Sequence, residues 1–168
     1  MSEQAKFRVG LVLGLIWAVV LLWGAARFVK LPMFTVMPTI MTAFLAPGLV
    51  IVAMIGRVAS RRLFDGEMVD GRLFEAQSKG AVDQKVLTNT IEQLVAALCI
   101  WPAAAILLAG NGPGVIMVLG VGFAIARLAF WAGYHKSPAL RAFGFGASFY
   151  PTMLVGIWAL WQLATGFR

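Results

Sequence analysis

Two short strings hold the residues of this chain best suited to chemistry. The first is LTNTIEQLV, Leu87 to Val95, which opens a run that continues AALCIWPAAAILLA. Asn89 and Glu92 are three residues apart, so on a helix they share a face. Lys85, Asn89, Glu92, Ala96 and Cys99 are spaced 4, 3, 4 and 3 and form one stripe, polar at one end and apolar deeper in. The second string is ARLAFWAGYHKSPALR, Ala126 to Arg141. In it Arg127, Phe130, Trp131 and Tyr134 form a similar stripe, and Arg141 follows; Arg61 and Arg62 close an earlier apolar run. Polar groups of this kind have two uses inside an apolar helix. Glu92 can neutralise Arg127 and hold two helices together, with Asn89 hydrogen-bonding across the same interface. That pairing still leaves about three unmatched charges among Arg62, Lys85, Arg127 and Arg141, which an anionic ligand would balance.

The elements that carry these residues are membrane spans. Of 168 residues, 61% are hydrophobic and 12% charged, where a soluble domain carries about a quarter charged. The mean hydropathy is +0.86. The apolar runs are long enough for helices to cross a bilayer, so the sequence predicts an all-α integral membrane protein, one transmembrane domain over residues 1–168. Five spans are expected. The first is Val9 to Ala26 within an extra N-terminal helix over 9–29, longer than the apolar region of a cleavable signal and read as uncleaved. The second is Leu31 to Gly56, bent at Pro38 and Pro47; then come Val86 to Ala109, Val115 to Tyr134, and Ala142 to Thr165, bent at Pro151. Arg57 to Lys85 is the polar segment, with the carboxylates of FDGEMVDG as a wetted loop; GNGPG is a tight turn and HKSPALR a linker.

Five spans put the termini on opposite sides. Lys6, Arg8, Arg57, Arg61, Arg62, Arg72, Lys79, Lys85, Lys136 and Arg141 fall on one side, against Arg27, Lys30 and Arg168 on the other. Ten basic residues against three place the N-terminus in the cytoplasm and the C-terminus outside, in a bacterium across the inner membrane. The net charge of +7 reflects this bias or a basic cleft, and no extended basic stripe points to nucleic acid. No phosphate-binding glycine loop, HExxH or CxxC is present, so no metal ligand set is expected. His135 reads as solvated in a polar loop, and Cys99 as a small core residue.

NTIE at Asn89 to Glu92, four residues after a basic Lys85, and the Ala-Arg, Gly-Tyr and Leu-Arg pairs within Ala126 to Arg141 resemble the MAPEG family, the membrane-associated proteins in eicosanoid and glutathione metabolism. The resemblance runs roughly from Pro47 to Trp161, and ASRR is similar to the end of that family's first helix. It implies a four-helix bundle over 31–165, here with the extra N-terminal helix, assembled as a homotrimer. It implies glutathione as co-substrate in a cytoplasm-facing cleft between subunits, held by Arg62, Lys85, Asn89, Glu92, Arg127 and Tyr134. Arg141 would be catalytic, stabilising the thiolate, and a hydrophobic small-molecule substrate would enter from the lipid. Two positions depart from the enzymes of the family: Phe130 stands where they carry Tyr, and Lys85 where they carry Arg. The expected function is a glutathione-dependent transferase or peroxidase for lipophilic electrophiles. The rival readings are a non-catalytic lipid-binding scaffold of the same fold and a small channel or transporter subunit using Glu92 as an ion site.

Overall fold

The computed structural model describes residues 2–64, 74–76 and 78–166. Among the described residues all regular structure is helical, and five helical segments are long and apolar enough to cross a membrane. They comprise α1 (Glu3–Phe28), α2 (Val36–Ala43) continued by α3 (Leu45–Phe64), α4 (Lys79–Leu107), α5 (Gly112–Lys136) and α6 (Pro138–Thr165). Arg72, Arg168 and the carboxylates Asp65, Glu67 and Asp70 lie outside the described residues.

The helices overrun the apolar spans at the end that carries the motifs. α3 continues two turns past Gly56 to Phe64, and α4 starts at Lys79, where Ser78 caps it by accepting from the Ala81 N–H at 3.1 Å. Hydropathy marks only the part of a helix that sits in lipid, so Arg61, Arg62 and Lys85 sit on rigid helix ends rather than in a loop. The expected linker HKSPALR shrinks to one residue. Ser137 closes α5 through its N–H to the Gly133 carbonyl (3.1 Å) and opens α6 by accepting from the Leu140 N–H (3.2 Å). His135 therefore lies in the last turn of α5, not in a loop.

In the second span the break falls at Phe44. Pro47 lacks the N–H that a continuous helix would direct at the Ala43 carbonyl, and its ring would crowd that oxygen. α3 instead restarts at Leu45, which puts Pro47 in a first turn where no donor is needed.

The core gathers around Trp101 of α4. It stacks on Phe44 (centroids 5.2 Å apart), meets Phe123 edge-on, and donates its Nε1–H to Thr152 Oγ1 at 3.3 Å. α1 lies along α6 through a stripe of small residues, Gly10, Gly14 and Ala18. A methyl group at Gly10 would collide with the Ala139 carbonyl oxygen, and one at Gly14 would sit 3.0 Å from the Ala147 nitrogen. Small residues at this spacing let membrane helices approach backbone to backbone. Cys99 differs from expectation: it is exposed on the outer face of α4. Its neighbours are apolar on every side, so hydropathy carries no sign of which face turns inward.

Candidate functional site

α4 has two polar faces. Asp83, Thr90 and Gln93 continue the buried face that deeper in holds Ala97, Trp101 and Ala104. Lys85 and Glu92 are exposed on the opposite side of the protomer, with Asn89 half-buried between.

Arg127 of α5 is fully buried and sits 3.9 Å above the Phe130 ring. Its Nη1 donates to Asn89 Oδ1 at 3.2 Å, and Asn89 Nδ2 donates to Glu92 Oε2 at 3.3 Å. The direct Glu92–Arg127 pair expected as one alternative is absent among the described residues; Asn89 stands between them as a relay. Among the described residues, Nε and Nη2 of Arg127 have no partner. Phe130 supplies a π face where a Tyr would supply a hydroxyl, which a guanidinium can use once water is excluded.

Arg141 sits in the first turn of α6, 5.0 Å from the centroid of the Tyr134 ring. Gly133 makes this possible, because any side chain there would strike the Arg141 backbone. Asn89, Phe130, Tyr134, Arg141 and Phe145 line a cavity of about 300 Å³, together with Phe7 of α1. The same packing that brings α5 and α6 together thus places Asn89, Tyr134 and Arg141 around one space, with the buried Arg127 reaching it through Asn89.

Arg62 and Lys85 line a different cavity, of about 460 Å³, with Phe74, Ala81 and Gln84. The Arg62 guanidinium lies 5.4 Å from the Phe74 ring centroid, and its Nε is buried without a partner among the described residues. Within one protomer the candidate residues therefore fall into two groups. Among the described residues, no carboxylate lies within ion-pair distance of Arg62, Lys85, Arg127 or Arg141.

Sequence reasoning passed over Asp83. Only 3% exposed, it pairs with Arg61, lies 3.6 Å from Arg57 and 3.8 Å from His135, and accepts from Trp131 Nε1 at 3.0 Å. Trp131 and Tyr134, assigned above to one stripe, thus turn to different neighbours. The signal was available: Asp83, Val86, Thr90, Gln93 and Ala97 run at helical spacing on the buried face, and a carboxylate there needs a cation.

Gln93 was passed over in the same way. Its Oε1 accepts from Ser148 at 2.6 Å while its Nε2 is buried without a partner among the described residues. It borders a cavity of about 190 Å³ between α4 and α6 that is otherwise chiefly apolar, with Ala96, Ile100, Phe149 and Met153. Among the described residues no cluster of His, Cys, Asp and Glu has the makings of a metal site.

No curated protein and no solved structure gives a match. Residues 35–161 match the MAPEG family, a stretch that takes in α2 to α6 almost entire and both motif strings. With most of its length matched, including every helix that carries a candidate binding residue, this chain belongs to the MAPEG family.

Proposed function

We propose that the protein is a glutathione-dependent transferase or peroxidase that acts on lipophilic electrophiles at the membrane. The observation that carries this reading is the set of cations without carboxylate partners among the described residues, with Arg141 opening on the cavity beside Tyr134. Glutathione bears two carboxylates, an ammonium and a thiol. Arg62, Lys85 and Arg127 match the carboxylates, and Glu92, oriented by Asn89, matches the ammonium. The two cavities of one protomer would become one cleft where neighbouring subunits meet in a homotrimer.

A free thiol with a pKa near 8–9 is mostly protonated at neutral pH, and an adjacent guanidinium favours the nucleophilic thiolate. Arg141, which lines the cavity beside Tyr134, would supply that guanidinium. In a transfer, the thiolate sulfur attacks the electrophilic carbon and the leaving group, or the opened ring oxygen, takes a proton. In a peroxidase cycle the thiolate attacks the outer oxygen of the hydroperoxide, the O–O bond breaks and the alkoxide takes a proton to leave as an alcohol; the thiol of a second glutathione then displaces water from the resulting sulfenic acid to give the disulfide. The chiefly apolar cavity beside Gln93 suits the acceptor's hydrocarbon body.

The test is titration of the purified protein with glutathione, followed by the ultraviolet absorbance of bound thiolate. Saturable binding with a thiolate signal is expected. Arg141→Ala should abolish that signal and cut turnover by roughly one to two orders of magnitude, as for a lost charged transition-state contact. Arg141→Lys should recover part, since charge survives while the planar fork is lost. Absence of binding by the unmodified chain would overturn the reading in favour of a lipid-binding scaffold that uses the Gln93 cavity alone.

A further inference from the structure

α1 lies outside residues 35–161, yet it reaches the candidate site. Phe7, Gly10 and Gly14 follow one another at helical spacing on one face, and the nearest neighbours of both glycines belong to α6. Trp17, one turn further along α1, meets Phe143 of α6 edge-on, centroids 6.2 Å apart, between the contacts of the two glycines. Phe7 therefore faces the start of α6, but it does not fill the core: it is 39% exposed. Its ring borders the cavity of Asn89, Tyr134 and Arg141 on one side. On the other it borders a space of about 370 Å³ shared by Glu3, Arg8, Pro138 and Arg141. Phe7 and Arg141 thus bound the same two spaces.

We infer that the additional helix α1 is a working part of the site, with Phe7 as a wall that closes the Arg141 end from within the same chain. The inference rests on the glutathione reading above and adds to it a specificity element that the 35–161 region does not contain. An aromatic wall beside a guanidinium excludes water, and a thiolate–guanidinium attraction strengthens as the local dielectric falls. The charged and titratable groups around this space are Arg141 on α6, Tyr134 and the buried Arg127 on α5, Glu92 behind Asn89 on α4, and Glu3 and Arg8 at the head of α1. Phe7 bears no charge, so its contribution is to the medium in which these act. It is a positioning residue, working through Arg141.

The full-length protein in detergent should be compared with Phe7→Ala, Phe7→Leu and, as a control on the outer face of α1, Val12→Ala, whose side chain is 58% exposed. In Phe7→Ala, glutathione affinity should weaken roughly five- to tenfold, the scale of one lost desolvated aromatic contact. The thiolate signal at neutral pH should fall. The pH profile of kcat/KM should move to higher pH and converge with the parent in alkali, where no help with ionisation is needed. Phe7→Leu should restore most of the effect, and Val12→Ala should match the parent. A loss that is uniform across pH would mean that Phe7 only holds the fold, and would overturn the inference. So would Phe7→Ala with affinity and thiolate signal unchanged while Arg141→Ala loses them; the glutathione reading would then stand without the wall. If the unmodified chain binds no glutathione, the functional reading fails first and takes the wall with it.

Discussion

Asp83 of α4 is the one carboxylate that the described residues enclose, and it is held from two other helices, by Arg57 and Arg61 of α3 and by Trp131 and His135 of α5. Removing its charge leaves cations facing a desolvated amide. Breaking a fully buried pair from one side costs about 3–5 kcal/mol. The Arg57 and Arg61 side chains keep 52% and 21% of their exposure, so water recovers part of that. Asp83→Asn is expected to lose roughly 2–3 kcal/mol, seen as a lower midpoint of thermal unfolding without ligand; an unchanged midpoint would show that the cluster is surface decoration. At this scale the sequence was half legible. Lys85, Asn89 and Glu92 stood out because polar residues repeating at 4 and 3 along an apolar helix are conspicuous. Asp83 and Gln93 were given no role, because with Thr90 they interrupt a face whose other members are ordinary core residues and their partners lie on other helices. The partner of Arg127 was also misjudged: opposite charges suggest a direct pair, whereas the amide of Asn89 comes between them.

Ser137 decides how stiffly the second motif string is held. Its backbone ends α5 while its hydroxyl starts α6, so Tyr134 and Arg141 are joined through one residue with no slack between helices. Ser137→Ala should cost about 1 kcal/mol, the usual value of a lost N-cap. It should also loosen the first turn of α6 and weaken glutathione binding measurably in the same titration, and Ser137→Asp should restore both. Stability falling with affinity untouched would separate the cap from the site. The number and order of the spans were readable because about twenty apolar residues have few alternatives to a membrane helix. Helix ends were not, because capping and charged extensions lie beyond the lipid and leave no mark on hydropathy. The break at Phe44 was placed only loosely between Pro38 and Pro47: both restrict a helix, and packing decides which one ends it.

The single chain leaves polar groups exposed along its apolar α4 face. Lys85 and Glu92 lie exposed on the same side of α4 as Cys99, and a polar group left facing lipid costs several kcal/mol. Subunit contacts would bury them, so a homotrimer is expected by mass measurement in mild detergent, with the charge bias placing the C-terminus outside, as a reporter fused there would show. A monomer that retains glutathione affinity would sink the shared cleft, and a cytoplasmic reporter signal would sink the orientation. The seat of α1 on α6 bears on how such a molecule is made. α1 is made before α6, with three spans between them, yet the nearest neighbours of Gly10 and Gly14 all belong to α6. Until α6 is made, the glycine groove of α1 lacks the surface it packs on in the folded chain. The bundle is therefore latched by a helix made well after α1, and the Arg141 end of the site acquires its Phe7 wall only once α6 has docked against α1.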